Sequence, residues 1–297
     1  MRVLTHTVTA AEANRTVKQL LHGLWGVSGS FLSRLKFRQA ITVNGAPVTV
    51  RFVPCPGDVL AADVSDLPGE HPHIRPVDFP LDILYEDEDL LLINKPAGIA
   101  VHPAALTEET ATIAGAAAHY LHSESFHAVN RLDRGTTGVM AVAKTGFIHA
   151  RCMAMLHTDD FRREYRAVCE GIPSPTEGDI DLPIGRAESS LLKRQADPLG
   201  GQPAHTHYEV LAASQGRALL RLTPTTGRTH QLRVHMAAIG HPLTGDWLYG
   251  TEDRALIARP ALHSYHLRMM HPLTGTVIDV TAPLPEDIQR LLKEERL

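Results

Sequence analysis

Residues 130–138 read NRLDRGTTG, and this stretch sets a single carboxylate, Asp133, between the guanidinium groups of Arg131 and Arg134. The glycine-bounded polar turn that follows leads into the apolar run 139–143, which has the composition of a buried strand. Two arginines beside an aspartate favour the ionised carboxylate, so Asp133 suits nucleophilic or charge-stabilising work better than proton donation. The spacing alone leaves two alternatives even: a catalytic carboxylate, or a structural one that caps the turn or forms a salt bridge.

Apolar runs with the composition of strands recur on both sides of this stretch. They lie at residues 90–94, 139–142, 165–169 and 218–222. Such runs, bounded by turn residues and separated by helical stretches, are typical of a domain that mixes strands and helices. After Gly227, Leu232 and Met236 share one face of a predicted helix that ends at Gly240. The sequence therefore predicts an α+β catalytic domain over residues 81–297.

The N-terminal 62 residues differ in charge from the rest of the chain. They hold seven basic and two acidic residues, a formal charge of +5. Residues 63–90 hold nine acidic residues and one basic residue, Arg75, so their formal charge is -8. The net charge of -4 for the whole chain conceals this segregation. A basic segment beside an acidic one is typical of an RNA-facing module whose acidic neighbour faces away from phosphate, although chance clustering on solvated faces gives the same counts.

Helix and hairpin patterns fill the basic segment. Residues 10–23 place apolar side chains at helical spacing, and residues 31–37 predict a second, basic helix. Two β-branched runs then flank Asn44-Gly45, a strong signal for a tight hairpin. The following residues, 63–80, are rich in proline and lack periodicity. We therefore expect a small α/β module over residues 1–62, joined by a linker to the catalytic domain.

Composition excludes several classes of protein. The cysteines Cys55, Cys152 and Cys169 are far apart and have no Cys-x-x-Cys spacing, so neither a disulfide framework nor a zinc knuckle is expected. No apolar stretch approaches the ~18 residues of a membrane span, and the first residues lack the pattern of a signal peptide. With 43% hydrophobic residues among 297, the chain can bury a substantial core. We therefore expect a cytoplasmic protein with no membrane partner.

Five motifs, in order, resemble the RluA family of pseudouridine synthases. They are NKPAGIAVHP at 94–103, RLDRGTTG at 131–138, REYRA at 163–167, TGRTHQLRVH at 226–235 and HPLTGD at 241–246. The family signatures in the first three places are NKPAGxxVHP, RLDRxTSG and KxYxA. Thr137 therefore stands where serine is more usual, and Arg163 where lysine is more usual. Five ordered matches make coincidence far less likely than one short pattern does.

The resemblance implies the pseudouridine synthase fold, which is α+β with a mixed, largely antiparallel sheet. It also implies an isomerase that needs no cofactor and no metal. The catalytic aspartate of the family corresponds to Asp133, its base-stacking tyrosine to Tyr165, and the basic partner of the aspartate to Arg233. Leu262 would line the uracil pocket. We expect Arg233 to hold the Asp133 carboxylate in a bidentate contact. Attack of Asp133 on the sugar at C1′ and promotion of a glycal both stay open.

RNA contacts are expected in two regions. The target base must leave its stack, and contacts with the RNA backbone must offset the energy that this requires. In the catalytic domain the candidates are Arg131, Arg134 and Arg228. The N-terminal residues resemble the S-four-type (α-L) RNA-binding domain, whose candidates here are Arg34, Lys36 and Arg38. This module favours large-subunit ribosomal RNA as the partner, with transfer RNA as the alternative, and we expect the protein to act as a monomer.

Two other functions compete with this interpretation. The chain holds 18 histidines, and His205-Thr206-His207 would place two imidazoles on one face of a strand, as in a metal site. These histidines lack carboxylates at ligand spacing in the sequence, so solvated or RNA-contacting roles are favoured. A decayed enzyme that only binds RNA is the second alternative. Retention of Asp133, Tyr165 and Arg233 argues against it.

Overall fold

The computed structural model describes residues 1–67, 74–103, 111–123, 125–187, 190, 192–214 and 216–297. Within these residues the chain forms three β-sheets and six α-helices. A four-stranded sheet is built from N-terminal residues. A ten-stranded sheet follows and carries the functional site. A two-stranded hairpin lies in sequence between two strands of this large sheet.

The N-terminal residues form a small sheet with two helices. Its strands are β1 (Val3–Thr7), β2 (Ile41–Val43), β3 (Ala46–Pro47) and β4 (Val59–Asp63), and its helices are α1 (Val17–Trp25) and α2 (Gly29–Phe37). The strands are antiparallel neighbours in the order β1, β4, β2, β3. Asn44 and Gly45 join β2 to β3 and both have positive φ, at 51° and 80°. The tight hairpin that the sequence predicts is therefore confirmed.

Helix α1 begins later than the apolar spacing suggests. Residues 10–12 form a single 3-10 turn, and Asn14 then adopts a left-handed conformation with φ of 67°, which interrupts the helix. Thr16 is the N-cap of α1, because its hydroxyl accepts a hydrogen bond from the Gln19 amide. The expectation of a helix from residue 10 is therefore wrong, since local capping overrides the pattern of apolar residues.

The large sheet contains most of the remaining strands. They are β5 (Ile83–Glu86), β6 (Leu90–Lys95), β7 (His127–Ala128), β8 (Thr137–Ala143), β9 (Phe161–Glu170), β10 (Glu177–Ile180), β13 (Thr206–Ser214), β14 (Arg217–Pro224), β15 (Leu262–Met270) and β16 (Val277–Thr281), while β11 (Ile184–Arg186) and β12 (Arg194–Ala196) form the hairpin. The order is β10, β13, β14, β9, β15, β8, β6, β5, with β16 beside β15 and β7 beside β8. In the described part of the chain, only β8 and β15 pair in parallel. The sheet is thus mixed and largely antiparallel, as expected.

Four helices accompany the large sheet. They are α3 (Ile113–Tyr120), α4 (Gly146–Met155), α5 (Gln231–Ala238) and α6 (Glu286–Glu295). Helix α5 is shorter than the stretch after Gly227 predicts, because His230 precedes it with a left-handed backbone, φ 59°. Gly240, also left-handed at φ 86°, follows its end as predicted. Across the residues that the structure describes, we find no helix with the length and apolar character needed to traverse a bilayer.

The parallel contact between β8 and β15 depends on a glycine. Gly138 has φ of 106° and pairs with Ser264, and a Cβ at this position would lie 2.1 Å from the Ser264 carbonyl oxygen. A side chain would therefore push the two strands apart. The close approach brings the loop before β8, which carries Asp133, next to Leu262 at the start of β15.

The apolar core of the N-terminal sheet is continuous with that of the large sheet. Leu20 and Leu60 belong to the same cluster of buried side chains as Leu90 of β6. Phe31 of α2 packs on Phe147 of α4, with ring centroids 4.9 Å apart. Apolar contact of this kind holds the two sheets together.

Ion pairs also join the basic N-terminal residues to the acidic segment. Arg2 binds Asp89 through two hydrogen bonds of 2.8 and 2.9 Å, and Arg38 donates to the Ser65 carbonyl at 2.7 Å. Asp66 accepts a hydrogen bond from the Gly146 amide at the start of α4, at 2.8 Å. Part of the acidic segment therefore faces the basic residues. The centre of the expected linker, residues 68–73, lies outside the described residues.

Candidate active site

An open cleft of about 600 Å³ lies where the loop before β8 meets β9, β15 and α5. Its walls come from residues 128–136, from the middle of β9, from residues 224–233 and from α4. Asp133, Tyr165, Arg233 and Leu262 all line it, so the structure brings these four predicted residues together. Arg131, Arg134 and Arg228 line it as well.

Asp133 stands on a tight turn at the cleft. Its side chain is 28% exposed, and its carbonyl accepts a hydrogen bond from the Thr136 amide at 3.0 Å. The His230 imidazole and the Arg233 guanidinium are the two basic groups nearest its Oδ2 among the ion pairs of the described residues, at 3.9 and 3.4 Å. The carboxylate is therefore open to a ligand on one side and faces basic groups on the other.

A buried lysine binds the backbone of the turn that carries Asp133. Lys95 is 0% exposed, and its Nζ donates hydrogen bonds to the carbonyl oxygens of Pro96, Arg134 and Thr136 at 2.9, 3.1 and 2.9 Å. Burial lowers the pKa of this amine to about 8, and the negative charge of Asp133 opposes the shift. Two of the three carbonyls belong to the turn that carries Asp133. Lys95 therefore fixes the backbone of that turn.

Two further buried side chains tie the turn to β15. Arg259 donates to the carbonyl oxygens of Gly135 and Leu262, at 3.0 and 3.2 Å. The Thr137 hydroxyl lies 2.8 Å from Nδ1 of His263, so the threonine that replaces the usual serine uses its hydroxyl here. Burial lowers the pKa of His263 to about 4. The neutral imidazole thus forms part of the join between β8 and β15.

Arg233 does not hold Asp133 in a bidentate contact, so that expectation is wrong. Its Nε and Nη2 donate to the two carboxylate oxygens of Asp246, each at 2.7 Å, while only Nη1 approaches Asp133, at 3.4 Å. Asp246 is fully buried and also accepts from the amides of Leu248 and Tyr249. Arg233 is thus anchored by Asp246 and presents one N–H to Asp133.

His230 is oriented by a hydroxyl on its far side. The Arg194 amide donates to the Tyr249 hydroxyl at 2.8 Å, and that hydroxyl lies 2.8 Å from Nδ1 of His230. With its oxygen already accepting, Tyr249 is placed to donate its hydrogen to Nδ1. Nε2 then carries the ring hydrogen and points toward Asp133. Burial lowers the pKa of His230, with Asp133 opposing, so the ring is neutral at pH 7.

Tyr165 and Leu262 form an apolar part of the cleft wall. Tyr165 lies on the same face of β9 as Phe161 and Arg163 because side chains alternate along a strand. Its neighbour across the sheet is Ser264 of β15. Burial raises the pKa of the Tyr165 hydroxyl, an effect that the nearby Arg163 charge opposes. The phenol is therefore neutral, and its ring offers a flat surface within the cleft.

The predicted RNA-contacting residues fall into three groups. Arg131 and Arg134 are exposed at the cleft. Arg228 also borders it but donates to the Pro203 carbonyl and the Gln202 side chain, at 2.9 and 3.0 Å. The other three do not line the cleft: on the N-terminal side Arg34 and Lys36 belong to helix α2, and Arg38 is its C-cap residue.

These three N-terminal residues differ in their surroundings. Arg34 and Lys36 are exposed, with the Arg34 guanidinium over the Phe31 ring. Arg38 is turned toward the connecting segment, where it binds the Ser65 carbonyl and lies 3.7 Å from Asp63. Arg34 and Lys36 thus lie at the surface, whereas Arg38 joins two parts of the chain.

Carboxylates and histidines at ligand spacing occur outside the cleft. Among the described residues one such group was found, Asp87, Asp89 and His271. Two backbone amides donate to Nδ1 of His271, so its ring hydrogen lies on Nε2 and faces Asp87 at 3.2 Å. His205 and His207, which the sequence raised as metal ligands, each contact the Asp179 carboxylate, at 3.2 and 3.0 Å. None of these residues lines the cleft.

Four supporting residues of the site were given no role by the sequence. Lys95 and Asp246 stand inside motifs that matched the family, yet nothing in those motifs shows which atoms they bind. Tyr249 and Arg259 lie outside the motifs. The glycine-aspartate pair that ends the motif at residues 241–246 was the signal available for Asp246. For Tyr249 the sequence contains no comparable signal.

Comparison with known proteins agrees with this geometry. A family model described as RNA pseudouridylate synthase matches residues 89–238. The chain is 40% identical over 285 residues to YjbO of Bacillus subtilis, named an uncharacterized RNA pseudouridine synthase, covering 94% of this chain and 99% of the relative. It is 39% identical over 311 residues to ribosomal large subunit pseudouridine synthase D of Escherichia coli K12, covering 99% and 94%.

A solved structure shows the same fold. Human RNA pseudouridylate synthase domain containing 4 superimposes with a TM-score of 0.59 at 26% identity, covering 72% of this chain and 93% of that one. The described cleft, the matching family model and relatives near 40% identity over almost the whole chain all point the same way. The chain therefore belongs to the RNA pseudouridylate synthase family, in its RluA-type branch, and is an isomerase that converts uridine in RNA to pseudouridine.

Proposed function

We propose that this enzyme modifies specific uridines of large-subunit ribosomal RNA and that the Asp133 carboxylate performs the chemistry. The observation that carries the proposal is the position of Asp133, which is open to the cleft and backed by the anchored N–H of Arg233 at 3.4 Å. The Escherichia coli relative named for the large ribosomal subunit aligns over 99% of this chain, which supports that substrate. Transfer RNA is the alternative substrate.

Asp133 acts on the bond between the base and the sugar. As N1–C1′ breaks, its electron pair stays with uracil, which becomes an anion. The carboxylate either bonds to C1′ or removes the C2′ proton, and each route conserves total charge. The ring then turns and C5 bonds to C1′. In the first route the bond between Asp133 and C1′ breaks at this step, and in the second route Asp133 returns its proton to C2′, so the carboxylate is regenerated in both. Finally C5 loses its hydrogen to water and N1 gains one.

Tyr165 and Leu262 hold the base while it turns. We assign base stacking to the Tyr165 ring, which faces the cleft from β9, and apolar contact to Leu262. A uridine that is paired or stacked in the RNA must be extruded to reach this depth. Arg131 and Arg134, exposed beside Asp133, are the candidates for contacts with the flanking phosphates.

The N-terminal residues supply a second RNA contact in this proposal. We assign residues 1–62 to an S-four-type module, residues 63–80 to a connector and residues 81–297 to the catalytic domain. The exposed Arg34 and Lys36 of α2 are the phosphate contacts, and Arg38 is excluded from that role because it binds Ser65. In this proposal the enzyme acts as a monomer, and a ribosomal RNA substrate supports a cytoplasmic location.

Release of tritium from RNA labelled at uracil C5 tests the catalytic assignment, because that hydrogen leaves in each turnover. We expect release by the wild-type protein and at least a 10³-fold loss with Asp133→Asn, which keeps the size but not the charge. Asp159→Asn is the matched control, since Asp159 pairs with Arg162 on the surface. Equal rates for wild type and Asp133→Asn would contradict the assignment.

The choice of RNA is tested separately. Ribosomal and transfer RNA transcripts are compared as substrates, and pseudouridine in cellular RNA is mapped with and without the gene. We expect loss of one or a few sites in large-subunit ribosomal RNA. Loss confined to transfer RNA would contradict the proposed substrate while leaving the chemistry intact. Binding without tritium release from any RNA would support a non-catalytic RNA-binding protein.

A further inference from the structure

Arg163 is a buried cation in the wall of the cleft. It lies two residues before Tyr165 on β9, and the two side chains share one face of the strand. Arg163 is only 6% exposed. The arginines on the opposite face have partners, since Arg162 pairs with Asp159 and Arg166 with Glu164. The arginines on one face of the strand are thus paired with carboxylates, whereas Arg163 on the other face is buried in the cleft wall.

The charge of Arg163 has no carboxylate partner among the ion pairs of the described residues. Its Nη2 donates to the carbonyl oxygens of Pro224 and Thr226, at 3.4 and 3.2 Å. Its Nε is buried and has no hydrogen-bond partner among the residues that the structure describes. The other buried arginines of the site are forked on carboxylates, Arg233 on Asp246 and Arg259 on Asp287. Two carbonyls and the Phe161 ring, whose centroid is 5.7 Å from the guanidinium carbon, therefore hold Arg163 without neutralising its charge.

A buried guanidinium without a carboxylate partner is costly, because its charge has lost solvation and its Nε–H has lost water. An anionic ligand atom in the cleft would supply the missing partner. We propose that Arg163 forms an anion subsite that binds a negatively charged oxygen of the extruded nucleotide. The inference rests on the proposed function and adds a role for Arg163, a residue that neither the chemistry at Asp133 nor stacking on Tyr165 uses.

Two oxygens of the nucleotide have this chemistry. One is the uracil carbonyl oxygen that gains charge as N1–C1′ breaks and the bonding electron pair moves into the base. The other is a phosphate oxygen next to the flipped uridine. Donation to the uracil oxygen grows stronger as the bond breaks, so it accelerates the reaction. Donation to phosphate is present from the start and contributes to binding.

The test uses the full chain and a labelled ribosomal RNA fragment that contains the target uridine. Single-turnover tritium release gives the rate at saturating RNA, and filter binding at several salt concentrations gives Kd. Arg163→Gln removes the charge, and Arg163→Lys keeps it. Arg221→Gln is the matched control, because Arg221 lies on the adjacent strand β14 and pairs with Glu209 outside the cleft.

We expect Arg163→Gln to lose about 10²-fold in one of the two quantities, and Arg163→Lys to stay within tenfold of wild type. If the anion is the uracil oxygen, the rate falls and Kd stays constant. If it is phosphate, Kd rises. The slope of log Kd against log salt then decreases by about 0.7–0.9, which is the contribution of one phosphate contact. The Arg221→Gln control is expected to match wild type in both.

Rate and Kd both within twofold of wild type in a folded Arg163→Gln protein would overturn the inference. The inference would also be overturned if Arg163→Gln and Arg163→Lys lost the same activity or affinity and both had a lower Tm. That result would indicate a structural role for Arg163. If Arg163→Gln does not fold, Gly227→Ala replaces it, because the new Cβ would lie 3.3 Å from Nη1 of Arg163. An unchanged rate and an unchanged Kd in Gly227→Ala would also overturn the inference. Absence of tritium release by wild type contradicts the proposed function instead.

Discussion

Arg233 binds Asp246 with two hydrogen bonds of 2.7 Å and touches Asp133 with a single nitrogen at 3.4 Å. Asp246 thus fixes the position of the guanidinium, and Asp133 contacts only its remaining nitrogen. In the proposed reaction the Asp133 carboxylate bonds to C1′ or takes up a proton, so its contacts have to change. Because Asp246 holds Arg233, the arginine stays in position while the contacts of Asp133 change.

We expect Asp246→Asn to reduce activity strongly while leaving RNA affinity near that of wild type. The amide keeps one acceptor for Arg233 but removes the buried negative charge, so the guanidinium shifts toward Asp133. Loss of one partner of a buried ion pair lowers the free energy of unfolding by about 3–5 kcal/mol. Tritium release and urea unfolding measure the two effects. Asp279→Asn, a surface partner of His266, is the control. Wild-type activity in Asp246→Asn would show that the anchor is dispensable.

Tyr249 is expected to act through His230. The hydroxyl of Tyr249 lies 2.8 Å from Nδ1 of His230, whose Nε2 is 3.9 Å from Asp133. Tyr249→Phe removes the hydrogen that fixes the tautomer, and we expect about a tenfold lower single-turnover rate. A double-mutant cycle with His230→Ala is the decisive measurement, because effects through one path do not add. Additive losses in the double variant would mean that the two residues act independently.

The sequence predicted which residues meet in the cleft better than it predicted how they bind one another. Asp133, Tyr165 and Arg233 lie in three separate motifs and Leu262 follows the last motif, and the resemblance of these motifs to the family, in the same order, was enough to predict one site. The partner of Arg233 could not be predicted in the same way. Its choice of Asp246 depends on how α5 packs against the turn at residues 246–249.

Local patterns predicted the N-terminal hairpin but not the extent of the helices. Asn44-Gly45 determines its own turn, because both residues tolerate positive φ. Helices α1 and α5 are shorter than their apolar spacing suggests, since Asn14 and His230 adopt left-handed conformations that no apolar pattern reveals. The burial of Lys95 was equally hidden, because lysine is almost always exposed, and here the carbonyl of the next residue and two carbonyls of the distant turn at residues 134–136 accept its hydrogen bonds.

His263 is expected to make stability depend on pH. The imidazole is 0% exposed, and burial lowers its pKa to about 4, whereas an unfolded chain titrates near 6.5. Between these values the unfolded chain binds a proton that the folded chain rejects. The contribution of His263 is therefore full above pH 6.5 and declines as pH falls toward 4, by on the order of 3 kcal/mol.

Urea unfolding at pH 7, 5.5 and 4.5 measures this effect. His263→Gln cannot titrate, so the difference in unfolding free energy between wild type and variant should shrink as pH falls. His266→Gln, on the same strand but partly exposed, is the control for general effects of removing a histidine. A difference that stays constant across this pH range would contradict the assignment of the slope to His263.

Neutralising Arg34 and Lys36 tests whether α2 contacts RNA. The two side chains are exposed, and each phosphate contact contributes about 0.9 to the slope of log Kd against log salt for a duplex. Arg34→Gln with Lys36→Gln should therefore reduce the slope by up to about 2 and weaken binding, with the rate at saturating RNA unchanged. The control pair Arg290→Gln with Lys293→Gln makes the same charge change on the exposed face of α6. If both pairs change the slope equally, net charge rather than a surface on α2 governs affinity, and the N-terminal module loses its assigned role.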